Sequence, residues 1–217
     1  MALRAVVFDY GMVLSGSPDP AAWAAMRRIS GLAEDRFEPL YWADRAAYDD
    51  GTLTGVAFWR SFLRRAGLPP DEAMAEDLNC WDCRFWTVQN PAMVAWQLAL
   101  KQRGLLTAIC SNMGDSTLAS VEGAFDWIHR FDVLIWSCEL GVVKPGAAIY
   151  RHTLAELGTL PEETLFIDDK QENIDAARAL GIRAIQFSSV ERLRQELIAD
   201  GLDSELPLPA SGQTTLK

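Results

Sequence analysis

The sequence predicts an α/β fold: a Rossmann-like parallel sheet with helices on both sides and a block of helices inserted after its first strand. Three observations carry this reading. Short apolar runs end on polar residues at widely separated places in the chain. From residue 91 onward such runs alternate with helical spacing, which implies right-handed crossovers and parallel strands. Between residues 15 and 90 the helical spacing continues with no strand signal.

The elements follow in order. Residues 3–8, Leu-Arg-Ala-Val-Val-Phe, have the continuous apolar character of a strand buried on both faces, and Asp9-Tyr10-Gly11 follows. Helical spacing then covers residues 19–30, 34–49, 54–66 and 70–88. Pro18-Asp19-Pro20, Gly31, Gly51, Gly67 and Pro69-Pro70 separate these segments. A helix over 91–103 stops at Gly104, and a strand over 105–110 ends at Ser111-Asn112. Helical turns near 115–123 lead to a strand over 131–137. A helix over 145–157 stops at Gly158, and a strand over 164–167 ends on Asp168-Asp169. A helix over 173–180 stops at Gly181. A strand over 182–187 and a helix near 189–199 complete the pattern. The tail from Asp203 is polar, contains Pro, Gly and Ser, and is expected to be mobile. This divides the chain into a core (1–14 and 91–202), a helical insertion (15–90) and a tail (203–217).

The 217 residues suit one domain with a sizeable insertion, and 49% hydrophobic residues suit a globular protein. The net charge of −10 argues against nucleic acid and anionic membrane as partners. It also means that a site for an anionic substrate must concentrate positive charge locally. No run approaches the ~18 apolar residues of a membrane span. The first apolar run is short and ends on Asp9, so no secretory signal is expected. Cys80, Cys83, Cys110 and Cys138 are read as reduced thiols of a cytoplasmic protein. Cys80 and Cys83 form a lone CxxC in a helical segment, without a second pair or a histidine at zinc spacing, and are read as packing.

In an open parallel sheet, ligands bind beyond the carboxyl ends of the strands. Asp9, Ser111-Asn112 and Asp168-Asp169 all fall there, and Lys144 precedes a proline that starts a helix near the same rim. These residue types fit phosphoryl chemistry. A carboxylate at Asp9 can attack phosphorus. Asp9, Asp168 and Asp169 supply the oxygen ligands that a hard divalent cation takes. Ser111 can hold a phosphoryl oxygen, and Lys144 supplies a point charge for it.

The chain resembles the haloacid dehalogenase superfamily. The matching pieces are Val-Val-Phe-Asp-Tyr-Gly-Met-Val-Leu (6–14), Ile-Cys-Ser-Asn (109–112), Val-Val-Lys-Pro (142–145) and Phe-Ile-Asp-Asp-Lys-Gln-Glu-Asn (166–173). Their order and spacing resemble all four family motifs, and the likeness runs over about residues 3–200. Its texture is nearest to the phosphatase domain of soluble epoxide hydrolases and to bacterial sugar-phosphate phosphatases. The resemblance implies that the inserted helices form a cap. It also implies Mg2+-dependent hydrolysis of a small phosphorylated metabolite, possible sugar phosphates included, through an aspartyl-phosphate on Asp9. By matching position, Asp9 and Lys144 are catalytic, and Ser111, Asn112 and Lys144 bind the phosphoryl group. Asp9, the Gly11 carbonyl, Asp168 and Asp169 hold the metal, and Asn173 orients one of the carboxylates.

One departure matters. Most family phosphatases carry a second Asp two residues after the nucleophile, where it serves as general acid and base. Here that position is Gly11. Asp19, Asp49 or Asp50 can take over the role, or the leaving group can be one that needs little protonation. Some similar sugar-phosphate phosphatases carry Gly here. The rival readings are a phosphate-binding protein with little catalysis and a metal-free haloacid dehalogenase. The absence of G-x-x-x-x-G-K excludes a P-loop kinase. Trp23, Trp42, Trp59, Trp81 and Trp86 are read as bundle packing, with one or two lining a substrate pocket. Arg60, Arg64 and Arg65 are read as a solvated face, with a contact to a second anionic group of the substrate as the sharper alternative. His129 and His152 are read as structural. Neither the physiological substrate nor the oligomeric state is legible at this level.

Overall fold

The computed structural model describes residues 2–210. Five parallel strands form one sheet: β1 (Ala5–Phe8), β2 (Leu106–Ser111), β3 (Val133–Trp136), β4 (Thr164–Asp168) and β5 (Arg183–Gln186). Their order is β3-β2-β1-β4-β5, so β1 is central. Its four residues are all buried, as the unbroken apolar run requires. Successive side chains point to opposite faces. Val6 and Phe8 join a cluster containing Trp96, Ile109, Ile167 and Leu193. Ala5 and Val7 join a second cluster with Ala108, Phe166, Ile149 and Ile174. The first face is covered by α6 (Pro91–Gln102) and α11 (Val190–Ala199), the second by α9 (Ala147–Leu157) and α10 (Gln171–Ala179). The remaining core helices are α7 (Asp115–Ala124) and the short α8 (Ser137–Leu140).

Between β1 and α6 lie α1 (Pro20–Ser30), α2 (Glu34–Ala43), α3 (Arg45–Asp49), α4 (Gly55–Arg65) and α5 (Glu72–Trp86). They enclose their own hydrophobic cluster, built on Phe37, Tyr41, Tyr48, Phe58, Trp59 and Phe62. Trp59 is fully buried at its centre, and Trp23 and Trp81 pack against it.

Three sequence expectations need correction. The segment 34–49 is two helices, broken at Asp44, whose backbone leaves helical geometry at φ −111° and ψ 11°. The Asp44 carboxylate is drawn to α4, where it accepts from Ser61 Oγ at 2.6 Å and from both arms of the Arg65 fork at 2.8 and 2.6 Å. That distant pull has no local signature. The helix expected from Pro145 begins at Ala147, after a turn closed by Gly146 N–H to the Val143 carbonyl. The tail expected to be mobile from Asp203 instead packs on the core over residues 203–210. Leu206 is buried, the Glu205 carboxylate accepts from Leu3 N–H at 2.8 Å, and the Pro207 carbonyl accepts from Trp96 Nε1 at 2.5 Å. Residues 211–217 of that tail lie outside the described residues. Arg60 pairs with Glu72 and Arg65 with Asp44, with both arginines exposed, which agrees with the solvated face read from the sequence. Among the described residues, no helix is long and apolar enough to cross a membrane.

The inserted helices meet the core through α5, which packs along α7, through α3 and through the N-terminal turn of α4. Tyr48 Oη lies 3.2 Å from Thr117 Oγ1, Ser137 Oγ donates to the Asp49 carbonyl at 2.5 Å, and Gly55 N–H donates to Asp115 Oδ1 at 2.9 Å. Gly114 makes this approach possible: a Cβ there would lie 2.1 Å from the Tyr48 ring. A stiff buried ring cannot move aside cheaply. Gly114→Ala is expected to destabilise the protein by about 1–3 kcal/mol, the usual cost of overpacking. Urea unfolding reads this as a lowered midpoint, and an unchanged midpoint would contradict the packing described.

Candidate active site

The register of β1 against β4 pairs Phe8 with Ile167, and Asp9 N–H continues the ladder to the Ile167 carbonyl at 2.8 Å. Asp9 and Asp168 are therefore neighbours at the carboxyl edge of the sheet. Both are buried, and such a pair needs a cation. Lys144 Nζ lies 2.9 Å from Asp9 Oδ1 and 2.6 Å from Asp168 Oδ2, with its side chain 1% exposed. The backbone of Lys144 is itself clamped. Asn112 Nδ2 donates to the Lys144 carbonyl at 2.9 Å, and Lys144 N–H donates to Asn112 Oδ1 at 2.8 Å.

The two oxygens of Asp9 differ. Oδ1 accepts from Ser111 Oγ at 2.7 Å and from Tyr10 N–H at 2.7 Å, and it also carries the Lys144 ion pair. Oδ2 has no partner among the described residues, and Asp9 lines a cavity of about 350 Å3. Burial pushes the Asp9 carboxyl up to about 7, against the pull of Lys144 and with the charge of Asp168 adding to the rise. Lys144 is held protonated: its ion pairs outweigh its burial. Asp168 is further fixed by Lys170 N–H and Asn173 Nδ2, both at 2.9 Å to Oδ1.

Asp169 completes a group of three carboxylates. One oxygen from each of Asp9, Asp168 and Asp169 lies within 4.8 Å of the others. Asp169 makes no ion pair among the described residues, and its carboxyl is raised by burial and by the neighbouring Asp168. Asn173 Oδ1 is buried without a hydrogen-bond partner and belongs to the same cavity wall. Three carboxylates against one ammonium leave local negative charge, and the candidate ligand atoms are all oxygens. This donor set fits a hard divalent cation such as Mg2+.

The inserted helices supply the opposite wall. Arg45, at the start of α3, is buried with Nε 3.1 Å from Asp49 Oδ1, Nη1 2.7 Å from Tyr41 Oη and Nη1 3.2 Å from Asp82 Oδ2. Tyr41 Oη in turn donates to Asp82 Oδ1 and accepts from Trp86 Nε1. Arg45, Asp49, Trp42, Phe85, Trp86 and Thr117 all line the cavity.

The structure thus brings Asp9, Gly11, Ser111, Asn112, Lys144 and Asp169 to one cavity, with Asp168 directly behind Lys144. The Asn112 side chain also clamps the Lys144 backbone, using one of its two amide N–H groups, while Asn112 itself lines the cavity. Of the carboxylates considered beside Gly11, Asp19 caps α1 by accepting from Ala21 N–H, and Asp50 accepts from Thr52 N–H in an exposed turn. Only Asp49 reaches the cavity. Sequence reasoning missed Arg45 and Thr117; the i, i+4 spacing of Arg45 and Asp49 on a helix was the available signal for Arg45.

Comparison with known proteins gives the family. A model of the hydrolase family described as haloacid dehalogenase-like hydrolase matches residues 59–181. The chain belongs to this family. The phosphoserine phosphatase of Thermus thermophilus is 31% identical over 182 residues, covering 73% of each chain. The bifunctional epoxide hydrolase 2 of Sus scrofa is 31% identical over 216 residues, which is 91% of this chain and 38% of that protein. Several of the curated relatives are much longer, and the chain spans only 19–38% of their length. Among solved structures, a haloacid dehalogenase family enzyme from Bacteroides thetaiotaomicron, in complex with magnesium and inorganic phosphate, shares the fold. Its TM-score is 0.70 at 20% identity, over 86% of this chain and 95% of that one.

The raised Asp9 carboxyl has a measurable consequence. A carboxyl whose folded-state value rises from 3.8 to about 7 contributes stability below 3.8 that is lost as pH climbs through 7, because the folded state holds the proton longer. In chelator, the melting temperature of the wild type is expected to fall relative to that of Asp9→Asn as pH rises from 4.5 to 7.5. Parallel curves for the two proteins would contradict the burial assigned to Asp9.

Proposed function

We propose that the chain is a Mg2+-dependent phosphatase that hydrolyses a small phosphomonoester through an aspartyl-phosphate on Asp9, with residues 1–14 and 91–202 as the catalytic core and 15–90 as the cap. The observation that carries this reading is the division of labour at Asp9. Oδ1 is held by Ser111, Tyr10 N–H and Lys144, while Oδ2 is free at the cavity wall.

Asp9 Oδ2 attacks phosphorus, the bond from phosphorus to the leaving oxygen breaks, and the alcohol departs with a proton. Water then attacks the phosphorus of the acyl phosphate, which releases inorganic phosphate and restores the Asp9 carboxylate. Lys144 and Ser111 orient Asp9, and Lys144 also faces the phosphoryl charge. Asp9, Asp168 and Asp169, with the Gly11 carbonyl, would hold the cation, whose charge supplies neutralisation between an anionic nucleophile and an anionic substrate. Asp168 is placed and oriented by Asn173 and Lys170 N–H. A metal-free carbon–halogen hydrolase has no use for the unpaired carboxylate of Asp169, which favours the phosphatase.

The cavity lining bears on the substrate class. Beyond the charged rim its walls are Tyr10, Met12, Pro18, Trp42, Phe85, Trp86 and Met113. Met12 and Trp42 are 39% and 45% exposed, and both lie at this cavity. Aromatic and thioether surfaces suit an apolar carbon skeleton better than the hydroxyl groups of a sugar. Aryl and alkyl phosphates are therefore the preferred substrates in this reading, ahead of sugar phosphates.

Hydrolysis of p-nitrophenyl phosphate tests the reading. Turnover is expected with Mg2+, to vanish with chelator, and to drop at least ~10³-fold in Asp9→Asn, which removes the nucleophile. A folded protein that shows no Mg2+-dependent turnover, or an Asp9→Asn variant that retains it, would overturn the assignment.

A further inference from the structure

We propose that Asp49, on the inserted helix α3, is the group that protonates the leaving oxygen and then activates the hydrolytic water; this rests on the phosphatase reading above. Alkoxide is a poor leaving group, so an alkyl phosphate needs a proton donor near the departing oxygen. In the core half of the cavity the carboxylates are committed. Asp9 carries the nucleophile and Asp169 belongs to the acidic cluster with Asp168. Position 11, two residues beyond the nucleophile, carries no side chain at all.

Asp49 is the carboxylate on the opposite wall of that cavity. Its position is fixed from two sides. Ser137 Oγ, at the end of β3, holds the Asp49 carbonyl at 2.5 Å, so the residue is tied to the core. Arg45 Nε binds Oδ1 at 3.1 Å, which leaves Oδ2 without a partner among the described residues. The side chain is 15% exposed, so it is shielded yet reachable from the cavity. The charged groups around it are Arg45 on its own helix, Lys170 from the loop after β4 and Asp82 from α5. Burial raises the Asp49 carboxyl, while Arg45 and Lys170 pull it down. An acid that also serves as base needs such a balance.

The step balances. As Asp9 Oδ2 bonds to phosphorus and the phosphorus–oxygen bond to the alcohol breaks, the proton on Asp49 Oδ2 passes to that oxygen. The Asp49 carboxylate then takes a proton from the water that attacks the aspartyl-phosphate. Asp9 leaves as carboxylate, and Asp49 is protonated again for the next cycle.

Gly11 offers a positive control. Its φ of −58° and ψ of 129° are open to any residue, and a Cβ there meets only Trp86 Cζ3 at 3.8 Å, an ordinary contact. The backbone and the space at Cβ therefore accept a side chain at position 11.

The experiment compares p-nitrophenyl phosphate, whose leaving group needs no proton, with a simple alkyl phosphate, which does, in the full chain with Mg2+. Asp49→Asn keeps the shape of the side chain and an oxygen for Arg45. It is expected to lose roughly 10²–10⁴-fold in alkyl phosphate turnover. With p-nitrophenyl phosphate it is expected to release a burst of nitrophenolate equal to the enzyme concentration, followed by slow steady-state turnover, because the phosphoenzyme forms but lacks a base to open it. Gly11→Asp added to Asp49→Asn is expected to restore alkyl phosphate turnover by at least tenfold. The inference is overturned if Asp49→Asn leaves alkyl phosphate turnover unchanged, or if both substrates fall by one common factor without a burst. Failure of the wild type on both substrates would instead strike at the phosphatase reading itself.

Discussion

The Lys144 ammonium between Asp9 and Asp168 is the interaction on which the rest of the site depends. Parallel pairing of β1 with β4 sets two carboxylates side by side at a buried sheet edge. Without a cation between them, desolvation and mutual repulsion would oppose the register that builds the core. Lys144 relieves both, and it can do so because Asn112, at the end of β2, grips its backbone from both sides. Three strand ends and one loop are thereby locked into a single electrostatic unit. Its by-product is a carboxylate with one oxygen fully engaged and the other free.

The second wall of the cavity is organised by a different buried cation. Arg45 sits among Tyr41, Tyr48, Asp49, Asp82 and Trp86, with its guanidinium 5.0 Å from the centre of the Tyr48 ring. Both walls follow one rule: a buried charge is tolerated where hydrogen bonds and opposite charges meet it on several sides. The core wall presents the free Asp9 oxygen and the acidic cluster. The inserted helices present apolar surface and a carboxylate held by Arg45. Each of these cations is already met by two carboxylates, Asp9 and Asp168 at Lys144 and Asp49 and Asp82 at Arg45, so in the proposed function the neutralisation that an anionic substrate requires would come from the divalent cation.

The sheet and its site were legible because both have local signatures. A strand such as Ala5–Phe8, buried on both faces, is an unbroken apolar run, and a residue at its carboxyl end is marked by the abrupt change to Asp9. Asp168 and Ser111 were found the same way, and Lys144 by the proline that follows it. The parts that escaped depend on contacts between distant segments. Asp44 breaks a helix because Ser61 and Arg65 capture its side chain, and nothing in residues 34–49 announces that. The segment after Asp203 reads as a polar tail, yet Leu206 is buried and the Pro207 carbonyl is taken by Trp96. The grip of the Asn112 amide on the Lys144 peptide, a pairing 32 residues apart, likewise has no local mark. Arg45 was hidden for the opposite reason: a lone arginine in a helical segment looks like a surface residue until the aromatic rings close around it.

The central claim is that Asp9 Oδ2 becomes covalently bound to phosphorus. Rapid acid quench of the Mg2+-loaded protein during turnover of p-nitrophenyl phosphate, followed by mass spectrometry of its peptides, tests this most directly. The account predicts one added phosphoryl group on the peptide that contains Asp9, absent in Asp9→Asn and removed by hydroxylamine. Turnover with no phosphoryl group at Asp9 under those conditions, or a phosphoryl group on another residue, would contradict it.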